Sequence, residues 1–323
     1  MKRPLLIALT LSLIACGQPG PLESTQLAAR NMYSAALSQN SELALIGAAY
    51  HGGSLWRLSD KERLFDWNHR KDEHTDITVA DFSPDGQWAL TTDSKTLVLW
   101  DTQSGAGERF WTAPADVLAL DLGANGNLAL LGLADRTAVI YAAKRGGILR
   151  TLQHAERVNS VALSLDGKRA ITGADDRSAI VWDTESGKSL HSYTHKDPVQ
   201  LVALSPDGRR ALSAAQYDSV VIWDTESGEL IWDMPLKKGW LQRGMSFSSA
   251  VFSADAAWLL TGRVDGVVEL WSLQDRTRIY EWRLPKRKAF SPQSPGVIAL
   301  GFGREGNRFY AVSSDGFVHQ LGY

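Results

Sequence analysis

Few side chains in this sequence could do covalent or acid–base chemistry, and they are poorly placed for it. The single cysteine, Cys16, lies at the end of an apolar run. No intramolecular disulfide can therefore form, and the rest of the 323 residues has no thiol chemistry. His69, Asp72, Glu73 and His74, with His51 nearby, gather imidazoles and carboxylates, but their spacing fits no established zinc pattern. A polar hairpin loop without metal is the expectation there. No Gly-x-Ser-x-Gly elbow, His-Glu-x-x-His or Cys-x-x-Cys-His occurs, so no nucleophile, metal-hydrolase or haem site is signalled. With 34 basic against 36 acidic residues the chain has no electrostatic footprint for nucleic acid. No cofactor and no small-molecule substrate is expected.

What positions Cys16 is a leader. Lys2 and Arg3 precede an apolar stretch from Leu5 to Ala15, which is shorter than the roughly 20 residues a membrane-spanning helix needs. The run Leu13-Ile14-Ala15-Cys16-Gly17 resembles the lipobox of bacterial lipoproteins. That resemblance implies cleavage after residue 15 and lipid on the Cys16 sulfur, hence a protein tethered at the periplasmic side of a membrane. Gly17 in place of Asp implies the outer membrane. Gly17-Gln18-Pro19-Gly20-Pro21 is too rich in breakers for helix or central strand. It reads as a tether of at most about 25 Å up to Ser24. The expected division is 1–15 leader, 16–23 lipidated cysteine and tether, and 24–323 a single folded body.

That body is repetitive. Val181-Trp182-Asp183-Thr184-Glu185-Ser186-Gly187 returns 41 residues later as Ile222-Trp223-Asp224-Thr225-Glu226-Ser227-Gly228, and Leu99-Trp100-Asp101-Thr102-Gln103-Ser104-Gly105 foreshadows both. A period near forty marks one supersecondary unit that must stack on copies of itself. Aligning on Trp56, Trp100, Tyr141, Trp182, Trp223, Trp271 and Gln320 gives seven units of four short strand signals each. Tight turns are expected at Asp85-Gly86, Asn125-Gly126, Asp166-Gly167, Asp207-Gly208 and Glu305-Gly306. Val220-Val221-Ile222-Trp223 has no polar alternation, which calls for a strand covered on both faces.

His154, Leu163-Ser164-Leu165-Asp166-Gly167, Thr172-Gly173, Asp176 and Trp182-Asp183 together resemble the WD-repeat β-propeller family, over essentially the whole chain after the tether. The resemblance implies an all-β, seven-bladed propeller and a hydrogen-bonded tetrad locking each blade. Blade four has the tetrad complete as His154, Thr172, Asp176 and Trp182. Blade five keeps His195, Ser213 and Trp223 but has Tyr217 at the acidic position. Blade six keeps Thr261, Asp265 and Trp271 without the histidine, and blade three keeps only Asp135. The chain stops after the third strand of blade seven, so the segment Leu22 to Ala28 is expected to supply the missing strand and close the ring.

Two insertions break the period, Leu236 to Ser248 and Pro285 to Pro295, and in propeller geometry both lie on one rim. They carry Lys237, Lys238, Trp240, Arg243 and Phe247, then Lys286, Arg287, Lys288 and Phe290. Aromatic and arginine side chains are enriched in protein contacts, which makes these loops the expected partner-binding face for an acidic protein segment or anionic envelope polymer. The expected function is a lipid-anchored, non-catalytic interaction scaffold with protein partners in the cell envelope, serving its assembly or maintenance. The alternative is an envelope enzyme of the quinoprotein or hydrolase propeller type with its site in the central channel.

Overall fold

The fold is seen in a computed structural model that describes residues 19–29, 31–70, 74–216, 219–235, 246–287 and 294–323. Among these, 28 strands form seven four-stranded antiparallel sheets. The innermost strand of each sheet packs against that of the next, and the seventh packs against the first, so the sheets are blades in a closed ring. In blade four the strands run outward from the axis as Val158–Leu163, Arg169–Ala174, Ser178–Asp183 and Ser189–Thr194. The third strand of blade five, Val220–Asp224, is buried through its apolar run, whereas the outer strand of blade four is mostly exposed.

The repeated Trp-Asp-Thr-x-Ser-Gly run has a local cause. Asp183 caps the turn between third and fourth strands by accepting from the Ser186 amide at 2.7 Å and hydroxyl at 2.6 Å, and Gly187 takes the left-handed conformation at φ 71°. Thr184 ties this turn to its neighbour by donating to the Gly167 carbonyl at 2.6 Å. Thr102 and Thr225 do the same to Gly86 and Gly208. The turn between first and second strands is held by a serine: Ser164 bonds Asp166 and accepts from the Arg169 amide. Blade seven has Gly303 at the serine's place. Its Glu305-Gly306 turn therefore departs from expectation, closing through the Arg308 amide on the Glu305 carbonyl at 2.9 Å, with Gly306 outside the positive-φ set.

Ring closure runs through the N-terminal strand. Glu23–Gln26 pairs antiparallel with Phe317–Gly322, Glu23 opposite Gln320 and Gln26 opposite Phe317, and so supplies the outer strand of blade seven. The core lies between blades, because each sheet is too thin to bury an interior of its own. Seven clusters of buried apolar side chains each span one seam. One joins Leu45, Leu55 and Trp67 of blade one to Phe82 and Trp100 of blade two, and another joins Met32 and Ile46 of blade one to Val312 and Val318 of blade seven.

Candidate functional site

In blade four the four tetrad side chains form one chain of bonds. Trp182 Nε1 donates to Thr172 Oγ1 at 2.8 Å, Thr172 Oγ1 lies 2.7 Å from His154 Nε2, and His154 Nδ1 lies 3.1 Å from Asp176 Oδ2. The indole can only donate and the carboxylate only accept, so Thr172 passes its hydrogen to Nε2 and the imidazole carries its proton on Nδ1. Burial holds the His154 pKa below the usual imidazole value although Asp176 pulls the other way, so the ring is neutral. For Asp176, burial pushes upward, but hydrogen bonds from Ser178 and the Ala155 amide outweigh it and hold the carboxyl below its usual range. The chemistry of this set is spent on locking the blade.

Two further blades carry the lock. In blade five His195 bonds Ser213 at 2.8 Å, and its Nδ1 meets Ser219 Oγ at 3.0 Å. Ser219 matches Ser178 of blade four, whose hydroxyl meets His154 Nδ1 at 3.2 Å, and Tyr217 lies outside the described residues. Blade two was missed by sequence reasoning. His69 Nε2 is 2.8 Å from Thr91 Oγ1, which also accepts from Trp100 Nε1 at 2.8 Å, while Asp93 stands 3.6 Å from His69 Nδ1. His69 is therefore a buried lock residue and not part of a polar loop, and the residues between it and the inner strand had disguised its spacing from Thr91. His51 and His74 face each other edge to face at 6.1 Å, and Asp72 and Glu73 lie outside the described residues. Among the described residues no group of three or more potential ligands is arranged to hold a metal.

The remaining blades are locked by apolar contact at the same positions. Blade one packs Ala28, Ile46 and Trp56, and blade three Ala113, Leu131 and Tyr141. Blade seven packs Leu284, Ala311 and Leu321. In blade seven the residue opposite Phe309 is Leu321, so the tryptophan position falls one residue after the expected Gln320. Blade six is intermediate: Trp271 donates to Thr261 at 2.9 Å, Met234 fills the histidine's place, and Asp265 turns to Arg263.

The inner strands enclose a channel with a cavity of about 440 Å³, whose only ionisable lining residues among those described are Asp81 and Asp121. They occupy the same position in adjacent blades. Asp81 accepts from the Leu122 amide at 3.0 Å, Asp121 from the Leu163 amide at 2.7 Å, and the two carboxyls bond each other. Burial, with Asp121 adding repulsion, drives Asp81 well above the usual carboxylate range, and burial also raises Asp121. The carboxyls join blades two and three, and the Leu163 amide ties Asp121 to blade four.

The inserted loops are seen in part. Lys237, Lys238, Trp240, Arg243, Lys288 and Phe290 lie outside the described residues, as does Cys16. Phe247 is a correction: it begins the inner strand Phe247–Phe252, is only 4% exposed, and packs on Trp271 and Met234. An apolar side chain at the start of an inner strand faces the neighbouring blade, so it belongs to the core and not to a partner surface. Lys286 and Arg287 are exposed, and Arg287 donates to the carbonyls of Ala29 at 2.8 Å and Asp315 at 3.4 Å, spanning the joint where the ring closes.

Geometry and comparison converge on a class. The family described as WD domain, G-beta repeat matches residues 67–101, 146–183 and 187–224, which are the repeats of blades two, four and five, the three that carry the histidine lock. Seven blades closed in a ring define a β-propeller. Three of its seven blades are thus WD repeats. The chain is also similar to telomerase protein component 1 of Rattus norvegicus, 37% identical over 73 residues, or 23% of this chain. That stretch spans 2% of the relative's length.

Proposed function

We propose that the protein is a lipid-anchored, non-catalytic WD-repeat scaffold on the periplasmic face of the outer membrane, holding protein partners in envelope assembly or maintenance. WD-repeat propellers generally bind protein partners, and the observation that carries the reading here is the break in an otherwise regular ring. Two insertions interrupt the repeat between a fourth strand and the next first strand, whereas blades three to five join without such loops. The anchor rests on Lys2, Arg3 and the Ala15-Cys16-Gly17 run, and among the described residues no helix is long and apolar enough to cross a membrane. Among the described residues the channel offers two carboxyls amid apolar and hydroxyl side chains, with no imidazole or amine in its lining to activate a nucleophile.

The test is crosslinking capture from membranes, repeated with Trp240→Ala and Phe290→Ala. Loss of one specific partner is the expected result, and a partner set indifferent to both changes removes the rim from the reading. Cys16→Ser should release the protein from the membrane fraction. A membrane-bound Cys16→Ser protein would end the anchoring claim.

A further inference from the structure

Position by position, blade seven breaks a pattern the other six keep. In every blade the residue before the tryptophan position pairs across to the second strand, and both side chains face the next blade. Blades one to six place two aliphatic side chains there, from Leu45 and Leu55 in blade one to Leu260 and Leu270 in blade six, none more than 1% exposed. Blade seven has Tyr310 opposite Gln320, both only half-buried. A phenol and a carboxamide at a position built for leucine keep their need for hydrogen bonds. Here they meet it poorly. Gln320 Nε2 donates to the Tyr310 hydroxyl at 3.4 Å, long for such a bond, and among the described residues Gln320 Oε1 has no partner.

A hollow of about 280 Å³ opens at this pair, where blade seven meets blade one. The closing strand lines it with Thr25, opposite Val318, and blade one adds Leu58 and Ser59. The Thr25 and Ser59 hydroxyls are likewise without partners among the described residues. Glu23 and Lys61 also border the hollow, but they are ion-paired to each other across the seam and add no net charge. What remains to meet a ligand is neutral. Two hydroxyls, a phenol and a carboxamide, which between them both donate and accept, converge beside the aliphatic Leu58 and Val318.

We propose that this hollow binds one neutral polyhydroxylated molecule of monosaccharide size, either free or as a unit of a glycan. Sugar hydroxyls donate and accept in turn, as the four polar side chains do, and the C–H face of a pyranose suits Leu58 and Val318. A charged ligand would give up water for a lining with no unmatched charge. The lining comes from blade one, blade seven and the N-terminal strand, so a bound sugar touches both sides of the joint and favours the closed ring by mass action.

The test titrates the purified full chain with glucose, galactose, mannose and N-acetylglucosamine by calorimetry, with thermal unfolding in parallel. At least one should bind saturably at a single site and raise the melting temperature by roughly 2 °C at ten times its dissociation constant. Tyr310→Leu with Gln320→Leu rebuilds the aliphatic pair of the other blades. This variant should melt no lower than the parent and bind the same sugar at least about tenfold more weakly. Thr25→Val keeps the side chain's shape, removes one hydroxyl and should weaken binding about fivefold, a readout that stands even where the double variant does not fold. The methyl glycoside of the bound sugar identifies its source: binding lost with the anomeric hydroxyl blocked supports a free sugar, and binding kept supports a glycan unit. No saturable binding by any of the four sugars, undiminished binding by the variants, or equal binding of glucuronate overturns the proposal. So does a melting shift of the same size in parent and double variant, which would be the general effect of sugars on hydration.

Discussion

At the scale of single residues, polar locks and apolar locks occupy the same positions in different blades, and their costs of failure differ. Thr172→Val leaves the Trp182 indole and His154 Nε2 buried without partners, so a loss of about 2–3 kcal/mol is expected by urea unfolding. Leu131 stands at that position in blade three without penalty because Ala113 replaces the imidazole and the Tyr141 hydroxyl is not left buried without a partner. His319 makes a different prediction. It bonds Ser24 of the closing strand at 2.8 Å and Ser313 at 3.0 Å, and burial lowers its pKa to about 4 although Asp315 opposes this. Folded His319 binds its proton less readily than the unfolded residue. Its contribution is therefore complete above the unfolded value near 6.5 and is lost as pH falls from there toward 4, about 3 kcal/mol in all. His319→Gln should flatten that part of a pH series of unfolding midpoints, and an unchanged slope would assign the acid sensitivity to other histidines.

At the scale of elements, the most telling strand is Glu23–Gln26. Without it, Phe317–Gly322 becomes an open edge. A chain starting after residue 28 should melt lower by roughly 5 °C or more, and should self-associate in size-exclusion chromatography. Unchanged melting would mean that the ring closes without this strand. This element was legible in the sequence, because the last unit lacked a strand and the first had a segment to spare. Blade count and strand positions were legible for the same reason: Trp-Asp-Thr-x-Ser-Gly encodes a capped turn, and a turn fixes where two strands begin. Where turn chemistry changes, legibility fails. Gly303 replaces the turn serine in blade seven, and the residues after His69 shift its spacing from Thr91, so the Gln320 alignment and the blade-two lock were both misread. Phe247 was assigned to a loop because its neighbours are loop-like, and only the seam it fills shows it to be core.

At the scale of the whole molecule, seams decide stability. Asp81 and Asp121 join blades two and three, and the Leu163 amide ties Asp121 to blade four. The folded pair keeps its proton to higher pH than the unfolded chain, whose aspartates ionise at about pH 4. Their raised values make the seam strongest in acid and weaken it as pH rises through the folded pKa, opposite in sign to His319. Asp81→Asn keeps an acceptor for the Leu122 amide and removes one buried charge, so its melting temperature at pH 8 should rise by about 2–4 °C, with little change in acid. A fall at both pH values would show that the carboxyl, not its proton, is what the seam requires. No pattern in one sequence announces this pair, since the two aspartates are 40 residues apart and meet only because the blades place them side by side. One consequence belongs to synthesis. Ser24 and His319 are separated by 295 positions yet share a blade. A nascent polypeptide can stack its first six vanes as they emerge, but the circle cannot be sealed before Phe317–Gly322 has emerged. Products truncated near the C-terminus should therefore persist as unsealed arcs, open to proteolysis at both ends.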